Sequence, residues 1–157
     1  MTGYYLIALG SNQRHPRYGS PERIVQSALR ELAPLCASAI ITSRPIGPSQ
    51  RSYANAAAIM ISGLTPDAVL ADLKALERQF GRRSGGQKWG RRVLDLDIIL
   101  WSGGLWTSPG LGIPHHHFRS RAFVLRPALQ VAGNWRDPVT CLSIRHLAAR
   151  LEKAKRR

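Results

Sequence analysis

The segment Arg92-Val93-Leu94-Asp95-Leu96-Asp97-Ile98-Ile99-Leu100 constrains the fold of this chain more than any other. Apolar residues alternating with two acids at period two predict a β-strand over 93–101 with one side buried. Leu94, Leu96, Ile98 and Leu100 then face the core, and Asp95 and Asp97 project together from the opposite side. Two carboxylates about 4 Å apart repel by about 4 kcal/mol at an effective dielectric near 20, so the pair favours a cation between them. Magnesium suits the position, because it takes one or two carboxylates and completes its shell with water and substrate phosphates. A half-exposed strand with an acidic outer face is the plain alternative, and the neighbouring sequence decides between them.

Immediately upstream runs Gly81-Arg82-Arg83-Ser84-Gly85-Gly86-Gln87-Lys88-Trp89-Gly90-Arg91-Arg92. Its glycines permit motion, and its cations can fold over a polyphosphate while excluding water. The whole chain shares the bias: 23 Lys and Arg against 9 Asp and Glu give a formal net charge of +14. Such a surface attracts polyanions, whether nucleotides, nucleic acid or acidic lipid. Neither a G-x-x-x-x-G-K-[ST] phosphate loop nor the protein-kinase signature set occurs, so any ATP chemistry rests on another platform.

A length of 157 residues predicts one domain over 1–157 with a single core. Tyr4-Tyr5-Leu6-Ile7-Ala8-Leu9 reads as a buried strand closed by Gly10-Ser11-Asn12. Ser20-Pro21-Glu22 opens a helix whose apolar stripe is Ile24, Val25, Ala28, Leu29 and Leu32. Strands are expected over 37–42 and 55–61, and Thr65-Pro66-Asp67 opens a second helix with Val69, Leu70, Leu73, Leu76 and Phe80 inward. After the acidic strand, Ser102-Gly103-Gly104 turns back towards a short Leu105-Trp106 strand, and a last helix is expected from Ser143 to about Lys153. The expected class is α+β: a ferredoxin-like α/β sandwich with a β-α-β-β-α-β core, additional short strands and C-terminal helices.

Cys36 and Cys141 have no paired spacing, which fits free thiols in a reducing compartment, and the cytoplasm is the expected location. The early apolar run is too short for a signal-peptide core and lacks a basic lead, and no stretch is long enough to span a bilayer.

The segment Lys88-Trp89-Gly90-Arg91-Arg92-Val93-Leu94-Asp95-Leu96-Asp97-Ile98-Ile99 closely resembles the signature of the hydroxymethyl dihydropterin pyrophosphokinases. The resemblance continues through Ala8-Leu9-Gly10-Ser11-Asn12, Pro45-Ile46-Gly47-Pro48, Tyr53-Ala54-Asn55-Ala56, Glu77, Ile113-Pro114-His115 and Arg121-Ala122-Phe123-Val124-Leu125. It implies a folate-pathway enzyme that transfers the β,γ-pyrophosphoryl unit of ATP to the hydroxymethyl group of 6-hydroxymethyl-7,8-dihydropterin, releasing AMP. Two magnesium ions are implied on Asp95 and Asp97, as the clamp of a two-metal displacement, with Arg82 and Arg92 as further catalytic residues. The ATP-binding positions it implies are Glu77, Lys88, Trp89, Arg92, Ile98, His115 and Arg121. For the pterin it implies Tyr53 and Phe123 around the ring, Asn55 on its edge, and Ser43, Pro45, Ile46 and Trp89 beside them.

Taken alone, Tyr53 and Phe123 read as core, Asn55 as a strand-end cap and Glu77 as solvated surface. The sequence departs from the family pattern at Lys88, Ser84, Arg91, His116 and Arg44. The run His115-His116-His117 invites a zinc reading, but three adjacent imidazoles cannot all face one ion from an extended backbone. The rival from another class is a basic ferredoxin-like nucleic-acid-binding module, prompted by the net charge and the basic tail 153–157. It lacks the aromatic RNP1-like segment such domains carry. The partners expected are ATP and the pterin alcohol, without a membrane, on a monomer.

Overall fold

A computed structural model of the chain describes residues 2–43, 52–81 and 92–157. Strand β1 (Gly3–Ser11) leads into helix α1 (Pro21–Leu32), then two short strands, β2 (Cys36–Ala37) and β3 (Ile41–Ser43). Strand β4 (Tyr53–Ser62), helix α2 (Pro66–Gln79) and strand β5 (Asp95–Trp101) follow. The chain continues with a hairpin, β6 (Trp106–Ser108) and β7 (Leu111–Ile113), a single 3-10 turn (Phe118–Ser120), α3 (Ala122–Ala132) and α4 (Ile144–Lys155). In the main sheet the order is β2-β4-β1-β5 with β3 also on β4, and every neighbouring pair is antiparallel. This is the ferredoxin-like arrangement, in which β1 and β4 are central.

Local chemistry sets the helix starts. Ser20, Thr65 and Ser143 each accept a hydrogen bond from the backbone N–H three residues on, and Pro21 and Pro66 occupy first-turn positions where no N–H is needed. Helices α1 and α2 cover one face of the sheet: Ile24, Val25, Ala28, Val69 and Leu73 pack on Tyr5, Ile7, Leu9 and Leu96. Helices α3 and α4 cover part of the other, where Val124, Leu125, Ile144 and Leu147 pack on Leu6, Ala57, Ile59, Ile99 and Leu100.

Three sequence expectations change. The strand over 37–42 is two fragments, because Ser38 leaves the ladder and its hydroxyl accepts the Ala57 N–H while Ala39 N–H donates to Gln130. The acidic strand begins at Asp95 rather than 93, and its pairing with β1 slips: Leu6 opposes Leu100 but Ile7 opposes Ile98. Ile99 is therefore a bulge residue, and Leu100 joins Ile99 in the second core instead of sharing a face with Leu94, Leu96 and Ile98. Finally, the strand near Trp106 pairs with β7 and not back onto β5.

Candidate active site

Side-chain alternation places Asn55, Gly10 and Asp95 in one row across β4, β1 and β5, and Ala57, Ala8 and Asp97 in the next. These rows lie on the α3 side of the sheet, at the end that α3 leaves uncovered. Gly10 is the low point between an amide and a carboxylate. A Cβ there would stand 3.3 Å from Asn55 Oδ1, so the absent side chain is what keeps the floor open.

Each polar residue is held by named partners. The Asn55 amide is buried and donates to Ser43 Oγ at 2.7 Å, which ties β4 to the end of β3. Asp95 accepts from Arg92 Nη1 at 2.9 Å. Arg92 is fixed at its backbone by Asn12: the Arg92 N–H donates to Asn12 Oδ1 at 2.7 Å and the Asn12 N–H donates to Arg92 O at 3.1 Å. Asn12 is nearly fully buried, so the end of β1 is stapled to the point where the chain enters β5.

Beyond β5, the His115 N–H donates to Ile99 O at 3.0 Å, bringing that imidazole beside the strand. Its Nδ1 accepts the His117 N–H at 3.2 Å. Arg121 is the N-cap of α3, and its guanidinium lies 5.8 Å from the Phe123 ring centre.

The electrostatics join these groups into one site. Burial, and then the neighbouring Asp95, push the Asp97 carboxyl up to about 6, against the pull of Lys74 and Arg92. Burial, then Arg121 and the other two imidazoles, push His115 down to about 4, while Asp95 opposes the shift. The Tyr53 phenol is raised by burial first, with Arg92 lowering it and Asp95 raising it. Tyr53, Arg92, Asp95, Asp97, His115 and Arg121 therefore share one field. The elevated carboxyl and its charged neighbour on a single strand face are the donor set a hard divalent cation relieves, so the residues fit magnesium.

Two predicted site residues stand differently. Ile98 points its side chain into the first core, so only its backbone can meet a ligand. Glu77 is 1% exposed, contrary to its reading as solvated surface, and lies on the α2 side. Its Oε1 accepts the Leu96 N–H at 2.7 Å, and Lys74 Nζ donates to the same oxygen at 2.9 Å and to Leu96 O at 3.2 Å. Helix α2 thus satisfies the outer edge of β5 between the two aspartates. Arg82, Lys88, Trp89, Pro45 and Ile46 lie outside the described residues, as do Arg44, Ser84 and Arg91. The roles of Gly10, Asn12 and Lys74 were missed by sequence reasoning, since each depends on a partner from another strand or helix.

The sequence pattern of the family described as 7,8-dihydro-6-hydroxymethylpterin-pyrophosphokinase (HPPK) matches residues 6–133. The chain belongs to this family. Among its relatives, the 2-amino-4-hydroxy-6-hydroxymethyldihydropteridine pyrophosphokinase of Pseudomonas aeruginosa is 37% identical over 139 residues, covering 84% of this chain and 82% of that one. The enzyme of the same name from Haemophilus influenzae is 33% identical over 135 residues, covering 82% and 81%. A crystal structure of Plasmodium falciparum HPPK-DHPS with pteroate superposes with a TM-score of 0.69 at 10% identity, over all of this chain and 44% of that one, and supports the fold. Membership of the pyrophosphokinase family leaves the nucleic-acid-binding alternative without support. Among the described residues no helix is long and apolar enough to cross a membrane.

Proposed function

We propose that this chain, as one domain, transfers a pyrophosphoryl group from magnesium ATP to the hydroxymethyl oxygen of 6-hydroxymethyl-7,8-dihydropterin and releases AMP. The observation that carries the reading is the pair Asp95 and Asp97 on one strand face, with the Asn55 amide in the row of Asp95, in a chain of this family. Asp95 and Asp97 would hold two magnesium ions. When bound, magnesium neutralises phosphate charge and makes the attacking hydroxyl easier to deprotonate.

The remaining work belongs to the protein. Asn55 presents donors and an acceptor to the edge of a flat heterocycle, and Ser43 fixes that amide's orientation. Tyr53 and Phe123 supply ring faces on the same side of the sheet. Arg92 and Arg121 bring cationic forks to the phosphates, and Arg82, Lys88 and Trp89, outside the described residues, are assigned to ATP by the family resemblance. His115 is neutral at pH 7, and because its Nδ1 already accepts a hydrogen bond, its proton sits on Nε2. In the ligand-free protein this leaves an Nε2–H ready to donate to a phosphate oxygen. Ile98 would meet ATP only through its backbone, and Glu77 would act indirectly, by holding the edge of β5 from the α2 side.

Purified protein given ATP, magnesium and the hydroxymethyl pterin should form AMP in step with pterin diphosphate. ATP turnover to ADP, or no turnover at all alongside tight salt-dependent RNA binding, would overturn this reading.

A further inference from the structure

Asp137 is a fully buried carboxylate whose acceptor positions are all filled, and it lies beyond residue 133, where the family match ends. Its side chain has 0% exposure. One oxygen accepts Arg119 Nε at 2.6 Å and the Thr140 hydroxyl at 2.6 Å, and the other accepts Arg119 Nη2 at 2.8 Å and the Val139 N–H at 3.1 Å. Four donors fill the acceptor capacity of a carboxylate. The turn that carries it is closed on itself, with the Asp137 N–H donating to Leu142 O and the Cys141 N–H to Asp137 O. A rigid receptor for one guanidinium has been built from the link between α3 and α4.

The guanidinium it receives sits in the segment from His115 to Arg121, which contains only a single 3-10 turn of its own. That segment is pinned at three places: the His115 N–H on Ile99 O, the fully buried Phe118 ring, and the Arg119 fork on Asp137. His115 and Arg121 flank the last two pins. From this geometry we infer that the Arg119–Asp137 pair is a positioning device that holds His115 and Arg121 in register with the carboxylates of β5 for the triphosphate. The inference rests on the proposed roles of His115 and Arg121. Arg119 and Asp137 touch neither substrate: they act by fixing the segment that does. A bidentate fork suits this task, because it fixes orientation as well as distance.

The test compares D137N, R119K and the double variant R119Q/D137N, which removes both charges and leaves no buried unpaired ion. An L147A variant, which opens the same core from α4, controls for stability loss alone. Steady-state AMP formation is measured for each with ATP and pterin varied separately. All three pair variants should raise KM for ATP by about tenfold, with KM for the pterin changed less than about twofold. L147A should lower the unfolding midpoint without that split. Equal KM values for ATP in the wild type and in the double variant would overturn the inference, as would a KM rise for ATP in L147A matching theirs. Should D137N fail to fold, the double variant and R119K decide. A wild-type chain that forms no AMP would count against the proposed function instead, and hydrogen exchange at residues 115–121 would then judge the pinning: faster exchange in R119K supports it, and unchanged exchange refutes it.

Discussion

Asp97 on β5 is partly buried and Asp137 in the turn between α3 and α4 is fully buried, and their proton affinities move in opposite directions. At Asp137 burial raises the pKa, but the Arg119 fork, the Thr140 hydroxyl and the Val139 N–H outweigh it and hold the carboxyl at about 2. At Asp97 burial and the charge of Asp95 act together, and the carboxyl rises to about 6. The difference is the donor set. Asp137 has four donors in its turn and in Arg119, whereas the described residues that press on Asp97 include the like charge of Asp95.

Removing each acid should separate these roles. D97A is expected to lower the rate of AMP formation on the order of a thousandfold or more while leaving the unfolding midpoint equal or higher, because a repulsion is relieved. An active D97A enzyme would end the comparison. D137A should act first on stability, costing about 2–3 kcal/mol in urea unfolding, discounted because its partner Arg119 is partly exposed, with its kinetic effect confined to KM for ATP.

The pH windows sharpen the contrast. Asp97 has a folded pKa of about 6 against an ordinary 3.8, so in the metal-free protein its ionisation costs stability as pH rises through that interval. Asp137, at about 2 against 3.8, stabilises the fold above 3.8 and loses that contribution as pH falls through about 2. The stability gap between metal-free D97N and wild type should therefore open between pH 4 and 6 and stay level above, measured by urea titration. Magnesium binding, followed calorimetrically, should weaken by about tenfold per pH unit below 6, as protons compete for the carboxylate. The smallest effect belongs to the exposed pair of Arg126 and Glu152, at 2.8 Å, where E152Q should leave the midpoint unchanged.

How much of this was legible in the sequence follows from which interactions are local. The caps at Ser20, Thr65 and Ser143, the βαββαβ order and the shared side of Asp95 and Asp97 are written within a few residues of each feature, and all are present. The bulge at Ile99 was not legible, because the slip exists only in the pairing with β1. Glu77 looked like surface because its helix is amphipathic and acidic residues are usually solvated; its burial depends on the open edge of a strand about twenty residues later. Asp137 carries no motif at all, since its four donors come from a turn and from a segment eighteen residues earlier.

Because Ile99 is a bulge residue, Leu100 joins it on the α3 side of β5: Asp97 faces the open end, and two residues further on Ile99 and Leu100 sit in the packing beneath α3 and α4. Both ends belong to one seven-residue strand, so a change at the carboxylate is expected to reach methyl groups buried in the core. The methyl resonances of Ile99 and Leu100 thus form a natural gauge of what occupies the acids, readable from inside the molecule without labelling the ligand.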